Sequence, residues 1–443
     1  MRNFKYQHLI KSKDSFQKPK RKMLLQNIKP IIVGSMLSWT SAFIPYAQAT
    51  HSPELQEAPI ISFSSAQTNK PLINIDKFLE KKVILPSVDY FPAFRMLDHT
   101  MCFSLDKYAE QKLPLHLFQK ALIHEWKIEI HGIYPLLFSE NAGKLGFDVI
   151  EQISFQHNKK EKRFNYIRPQ FFIGYKKNKP NTLIIAVTPG EDYIYHYASM
   201  VRHYLSKLTK NAEDLFEIHR YPDLEDKLAD WTNLDNKFVH SHDIVILGSV
   251  EKIEQFLLNK HKAKLLSKEK SDYYESTRYQ LSNGKVVNFL GVKYSYWGCM
   301  SGKIVKKLCE LGAQEIIYSA KLGSMTKPED LYQKIYAPTK YLTMKFHSVI
   351  RFIVNVPNKF VEKFPQLNSE WHVSIPTVLE EDFEQRRVAT QVGAQSIDNE
   401  ISRMAAAIED YNLQQNTKIP FCAIHFATDY VRKKGEKKRR SCF

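Results

Sequence analysis

Cysteine is scarce and irregularly placed: five residues in 443, at positions 102, 299, 309, 422 and 442, with no CxxC pair and no metal-ligand spacing. That pattern excludes a zinc ribbon, a CxxC redox centre and a disulfide-stapled miniature scaffold. Cys309 and Cys422 read as small buried apolar residues. Fifteen glycines and twenty prolines exclude a fibrous or low-complexity chain. No Ser-His-Asp order and no metal constellation stand out, so a serine-type nucleophile and a bound metal are not expected. Beyond the N-terminal leader no segment is apolar enough to span a bilayer.

What is present is globular. The hydrophobic share is 43%, with 12% aromatic and 25% charged residues, and the length suits two folded units. The net charge of +17 is an end effect: residues 1–22 hold eight Lys/Arg against one acid, and Arg432 to Arg440 hold seven against one. The remaining +4 is spread thinly, so no basic groove for specific nucleic-acid binding is expected. The tail reads as a solvated end, with an anionic membrane or nucleic acid as its alternative contact.

Residues 1–49 read as a basic leader. Lys22 closes the basic stretch, Met23 offers an alternative start, Pro30 to Leu37 is apolar, and Ala47-Gln48-Ala49 is a small-x-small cleavage pattern. Export by a signal peptide is expected, with an uncleaved anchor as the alternative; in an exported chain one or two disulfides become available. Thr50 to Lys70 has linker composition. Residues 50–235 form an N-terminal region whose fold, α+β or α/β, and role are not legible.

From Asn181 the pattern sharpens. Leu183–Val187 is a buried-strand run, Thr188-Pro189-Gly190-Glu191 a turn, and Tyr193 to Leu208 has helical spacing. Asp243 to Leu247 repeats the strand, Gly248-Ser249 breaks it, and Val250 to Leu258 is helical. A hairpin turns at Asn283-Gly284. A helix over Gly302 to Leu311 stops at Gly312, and Glu315 to Tyr318 is the next strand. Strand, glycine turn and helix recur, which predicts an α/β fold around a central sheet.

Two motifs near the C-terminus carry chemistry: SIDNEISRMAAAI at Ser396 to Ile408, and IPFCAIHFATDYV at Ile419 to Val431. Together with ILGSVEK, LSNGKVV, KLCELGAQEIIY and AKLGSM, their order over residues 240–431 resembles the nucleoside phosphorylase and nucleosidase superfamily. The resemblance implies a three-layer domain with a central mixed sheet, cleavage of the bond between ribose and base, self-association, and no metal or redox cofactor, phosphate being a candidate co-substrate.

The resemblance assigns roles residue by residue. Asp429, after a strand, is the acid that protonates the departing base, and Thr428 stands where the family has Ser. Glu400 accepts hydrogen bonds from ribose hydroxyls, contacts that strengthen as the sugar becomes cationic. Asp398 lies two positions before it, and Asn399 replaces the family's Met. The turns at Gly248 and at Gly323-Ser324 bracket the substrate. The anion side departs: the family's Arg is replaced by Tyr318, leaving Lys252, Lys321 and Arg278 as candidate phosphate ligands without a bidentate fork. Glu251 and Glu254 lie near the carboxylate with which hydrolytic members activate water; their plain reading is an exposed helix pair. His347, His372 and Phe383 lie where base- and ribose-stacking residues occur, and equally suit ordinary packing. The expected function is N-glycosidic cleavage of a nucleoside or nucleotide-like substrate, by water ahead of phosphate. The alternatives are an inactive nucleoside-binding sensor and an exported host-interacting protein.

Overall fold

A computed structural model of the chain describes residues 60–62, 75–86, 99–101, 104–154, 163–165 and 167–436. The leader and its cleavage pattern, Cys102 and Cys442 lie outside these residues. Among them, no helix is long and apolar enough to cross a membrane.

Strands β1 (Ile60–Ser62), β2 (Val83–Pro86), β3 (Lys127–Gly132), β4 (Val149–Ile153), β5 (Gln170–Tyr175), β6 (Thr182–Val187) and β7 (Phe216–Arg220) build the first sheet, in the order β1-β4-β5-β6-β3-β7-β2. The run Leu183–Val187 is wholly buried because β6 is central, antiparallel to β5 and parallel to β3. β1 lies within the expected linker: it pairs with β4, so that stretch is not all connector.

The next strands are β8 (Ile244–Gly248), β9 (Lys264–Lys270), β10 (Tyr274–Gln280), β11 (Val286–Val292) and β12 (Glu315–Ser319). They are followed by β13 (Lys321–Ser324), β14 (Ile335–Tyr336), β15 (Lys340–Lys345), β16 (Ser348–Ile353), β17 (Trp371–Ser374), β18 (Ala394–Asp398), β19 (Phe421–Ala423) and β20 (His425–Tyr430). The second sheet runs β19-β12-β8-β11-β10-β9, the third β14-β20-β13-β18-β17-β15-β16. Five helices matter for the site: α1 (Glu191–Leu205), α2 (Val250–Lys260), α3 (Cys299–Glu310), α4 (Phe383–Gln391) and α5 (Ile401–Gln415). The chain is thus mixed α/β, with a boundary between the first and second sheets that lies between Arg220 and Ile244.

One hydrophobic core nevertheless crosses that boundary. Phe172, Ile184 and Ala186 of the first sheet join Val245 and Leu290 of the second, Ile304 and Leu308 of α3, and Met404 and Ile408 of α5. Three turns behave as their sequences require. Gly312 (φ +86°) ends α3, with Ala313 N donating to Leu308 O at 3.0 Å. Gly284 (φ +81°) turns the β10–β11 hairpin. Gly248 (φ +91°) ends β8, where a Cβ would lie 2.1 Å from Ser319 O. The basic tail also differs from expectation at its start: Arg432 is buried and donates to the carbonyls of His99, Thr100 and Met101.

Gly248→Ala combines a left-handed φ with a clash against backbone, and is expected to lose about 3 kcal/mol or more in chemical denaturation. Gly284→Ala has the same sign of φ but open space around it, and is expected to lose only about 1 kcal/mol.

Candidate functional site

β8, β11, β12 and β19 are parallel neighbours, so their carboxyl ends reach one rim. An open α/β sheet places its ligand crevice at such a rim. There the chain presents Gly248-Ser249 after β8, Tyr296 after β11, Tyr318-Ser319 at the end of β12, and Ile424-His425 after β19. Ser249 N donates to Ser319 O at 2.8 Å and Ile424 N to Tyr318 O at 2.9 Å, stitching the rim together.

Asp429 sits on β20 opposite Gly323 of β13, and Thr428 is the extra residue of a β-bulge, since Leu322 pairs with Ala427 and Gly323 with Asp429. Bulges re-aim side chains beside functional sites. A Cβ at Gly323 would stand 2.9 Å from Asp429 Oδ2, so glycine leaves the room that the carboxyl occupies. Thr428 Oγ1 donates to Asp429 Oδ1 at 3.0 Å. Water reaches Asp429, yet surrounding protein crowds it. Burial raises its pKa, against the pull of the Thr428 hydrogen bond and the Lys321 charge.

On the other face of the third sheet lies a closed polar network. Asp398 Oδ1 accepts from Ser374 Oγ at 2.6 Å, from His372 Nε2 at 2.8 Å, and from the backbone N of Glu400 and Ile401 at 3.1 and 3.2 Å. His372 Nδ1 bonds Ser396 Oγ at 2.9 Å, and Ser402 N donates to Ser374 Oγ at 2.8 Å. Asp398 therefore closes the start of α5, and its hydrogen-bonding capacity is spent on protein. Burial works against its ionisation, but the charge and hydrogen bond of His372 and the Ser374 hydroxyl hold it below its ordinary pKa. His372 belongs to this network, not to a stacking surface. Glu400 differs: burial, then the Asp398 charge, push it well above the usual carboxylate range, and Asp192 adds to the effect. The Glu400 charge also acts on Tyr296 and Tyr318, which places it at the rim.

The order β20-β13-β18 sets Asp429 level with Ile397 across Gly323. Two strand spacings, about 9.5 Å, separate those backbones. Glu400 follows Ile397 by three residues. Asp429, Thr428 and Gly323 thus lie together on the third sheet, and Glu400 lies near Tyr296 and Tyr318 at the rim.

Several expected residues are placed elsewhere. Ser324 is fully buried, bonded to Tyr336 OH at 2.7 Å and Thr326 Oγ1 at 3.0 Å, and strand alternation turns it away from Asp429. Asn399 donates to Ile375 O at 2.7 Å. Arg278 forms a forked ion pair with buried Asp243, 2.8 Å at its closest, at the end of β8 opposite Gly248; it does not reach an anion at the rim. Lys252 is half-buried in the first turn of α2, and Lys321 is exposed beside Asp429. Glu251 and Glu254 are half-buried rather than exposed. Glu251 accepts from Arg163 N at 2.5 Å and acts on Tyr296, whereas Glu254 is bound by the Arg163 guanidinium and by Tyr279 OH at 2.9 Å.

Sequence reasoning missed the N-terminal contribution. Asp192 of α1 accepts from Cys299 N at 2.8 Å, stands 3.5 Å from Arg403, and acts on Glu400. It missed Glu381 too, which accepts from Thr100 Oγ1 at 2.8 Å and feels the Asp429 charge. Burial, and then Asp429, push Glu381 up to about 8. The acidic run at 378–382 was the available signal, but nothing local tied it to Asp429. A cleft of about 760 Å³ lined by His347, Asp382, Phe383 and Arg387 lies over α4 and contains neither Asp429 nor Glu400. His347 bonds Asp382 at 2.8 Å, and the Arg432 guanidinium lies over the Phe383 ring, so neither stacks at the rim. Glu129, His131 and His219 come together in an arrangement that could hold a metal ion, a cluster not legible in the sequence because 88 residues separate His131 from its cross-strand partner His219.

No family model matches the chain. It is 28% identical over 356 residues to "Oxidoreductase cns1" of Cordyceps militaris, a match covering 76% of this chain and 44% of that protein. The chain therefore spans less than half the length of that curated relative. Among solved structures it superposes on a 5'-methylthioadenosine/S-adenosylhomocysteine nucleosidase from Helicobacter pylori, with 15% identity, 44% of this chain and 88% of the other covered, and TM-score 0.33. The native futalosine hydrolase of the same organism gives 13% identity, 43% and 88% coverage, and TM-score 0.33. At such scores neither the fold of this chain nor its chemistry follows from these likenesses.

Asp398→Ala should unfold early, by about 3–5 kcal/mol, since it leaves His372 and three donors unpaired, whereas Glu400→Gln should hold its melting temperature. Equal losses would make both residues structural. A second expectation concerns pH. Glu381 binds its proton more tightly folded than unfolded, so its contribution is full below pH 4.5 and fades as pH rises through about 8. Denaturation at both ends of that window should show Glu381→Gln declining less than the parent.

Proposed function

We propose that this chain hydrolyses the N-glycosidic bond of a nucleoside or nucleotide-like substrate. The observation that carries the reading is Asp429: a water-accessible carboxyl seated by a bulge against Gly323, in surroundings that raise its pKa. A general acid for a departing base needs those properties. Glu400, across the sheet at the rim, is the acceptor for ribose hydroxyls.

In the proposed step Asp429 gives its proton to a ring nitrogen of the base as the bond to the anomeric carbon breaks, its electron pair leaving with the base. Water adds to the opposite face of the cation-like sugar and loses its proton to a carboxylate. Glu251, in the first turn of α2 beside Gly248, is assigned that role. The products are free base and free sugar. Water is favoured over phosphate because Tyr318, standing where the resembled phosphorylases carry Arg, is buried and paired with Tyr296. Lysines supply charge to that side but no planar fork. Export through the leader before Thr50 is part of the proposal.

The test is release of free base from a nucleoside panel, with and without phosphate, by the chain beginning at Thr50. Phosphate-independent release is expected, falling as pH rises through the elevated pKa of Asp429 and reduced about 10²- to 10⁴-fold by Asp429→Asn. Phosphate-dependent release would overturn the hydrolytic assignment. Saturable binding without release would make the protein a sensor.

A further inference from the structure

The first sheet holds a group of side chains that the proposed hydrolysis does not use. Glu129 and His131 are two residues apart on β3 and so share a face, and His219 is the direct cross-strand neighbour of His131 on parallel β7. All three are at least 95% buried. His131 Nε2 lies 2.9 Å from Glu129 Oε2, and His219 Nε2 lies 3.7 Å from the same oxygen. One ligand atom from each residue fits within 4.8 Å of the others.

Two further observations point to a ligand. Among the described residues neither ring nitrogen of His219 has a hydrogen-bond partner, although the side chain is buried beside a carboxylate. A buried imidazole left so would forfeit its hydration for nothing. His131 Nδ1, in contrast, is held by Tyr221 OH at 3.0 Å, the outer contact that fixes the ring of a metal-binding histidine and leaves Nε2 for the ion.

We propose that Glu129, His131 and His219 bind a divalent transition-metal ion of the zinc type. Two imidazoles and a carboxylate suit zinc, and ligand bonds of about 2.1 Å arranged tetrahedrally set ligand atoms about 3.4 Å apart. The observed 2.9 and 3.7 Å bracket that spacing. Glu217 supplies the way in and a fourth ligand: its side chain is 46% exposed, and its Oε2 is 3.6 Å from His219 Nε2. The two imidazoles are stacked, with centroids 4.2 Å apart and planes at 12°, so one ring must turn for both lone pairs to meet one ion. His219 is the ring free of hydrogen bonds and makes that turn. Binding displaces the proton shared between His131 Nε2 and Glu129, and no oxidation state changes. The ion would tie β3 to β7, one strand in from the sheet edge at β2.

The experiment uses the tag-free full chain, stripped with a chelator and titrated with Zn²⁺, then with Co²⁺ as a spectroscopic probe. About one Zn²⁺ per chain is expected, with the visible absorption of four-coordinate Co²⁺. The His131→Gln/His219→Gln pair should abolish it, and His240→Gln/His261→Gln, at exposed positions, should not. Tyr221→Phe, which keeps the aromatic packing, should weaken binding about tenfold and so reports on the site even if the double variant fails to fold. No zinc uptake by the parent overturns the proposal, as does uptake unchanged in the double variant.

Discussion

A carboxylate from the N-terminal half closes a helix of the C-terminal half. Asp192, at the start of α1, accepts from Cys299 N at the start of α3, and Arg403 of α5 lies against the same side chain. The contact is tight: a Cβ on Gly298 would lie 2.4 Å from Asp192, and a Cβ on Gly190 would lie 2.4 Å from Met300. Two strand–turn–helix units thereby meet turn to turn, and the core beneath them is shared. The junction also reaches the rim of the second sheet electrostatically, since the Asp398 and Asp192 charges both raise the Glu400 pKa.

The carboxylates of the structure fall into two kinds. Asp398 and Asp243 are saturated with donors, and each fixes an element: Asp398 the start of α5, Asp243 the entry to β8 through Arg278 and Asn288. Glu400 and Glu381 have pKa values raised first of all by burial, and water-accessible Asp429 has its own raised by the protein crowded round it. Saturated anions build structure; crowded, under-stabilised acids are suited to give up or share protons. That distinction separates Asp398 from Glu400, although only Asn399 lies between them.

Much of the fold was legible because local signals agreed with the final packing. Leu183–Val187, Asp243–Leu247 and Glu315–Tyr318 are strands within a residue or so of expectation, since a short apolar run between turn residues has few other ways to be buried. Gly248, Gly284 and Gly312 adopt positive φ as their turns demand. The site was legible only in part. Asp429 and Gly323 meet and Glu400 opens a helix, whereas alternation and partner choice set Ser324 and Arg278 elsewhere. Strand parity turned Ser324 inward, and buried Asp243 offered Arg278 a better partner than solvent.

By itself the sequence determined the element types, the glycine turns and the pair of acidic motifs, because those depend on periodicity and backbone sterics over a few residues. Only the tertiary structure decided which face each acid presents, which carboxylates are satisfied, and that Asp192, Glu381 and the Glu129–His131–His219 group exist as neighbours. Those facts depend on strand order and register, and on desolvation by residues tens to hundreds of positions away. No local pattern encodes such distances.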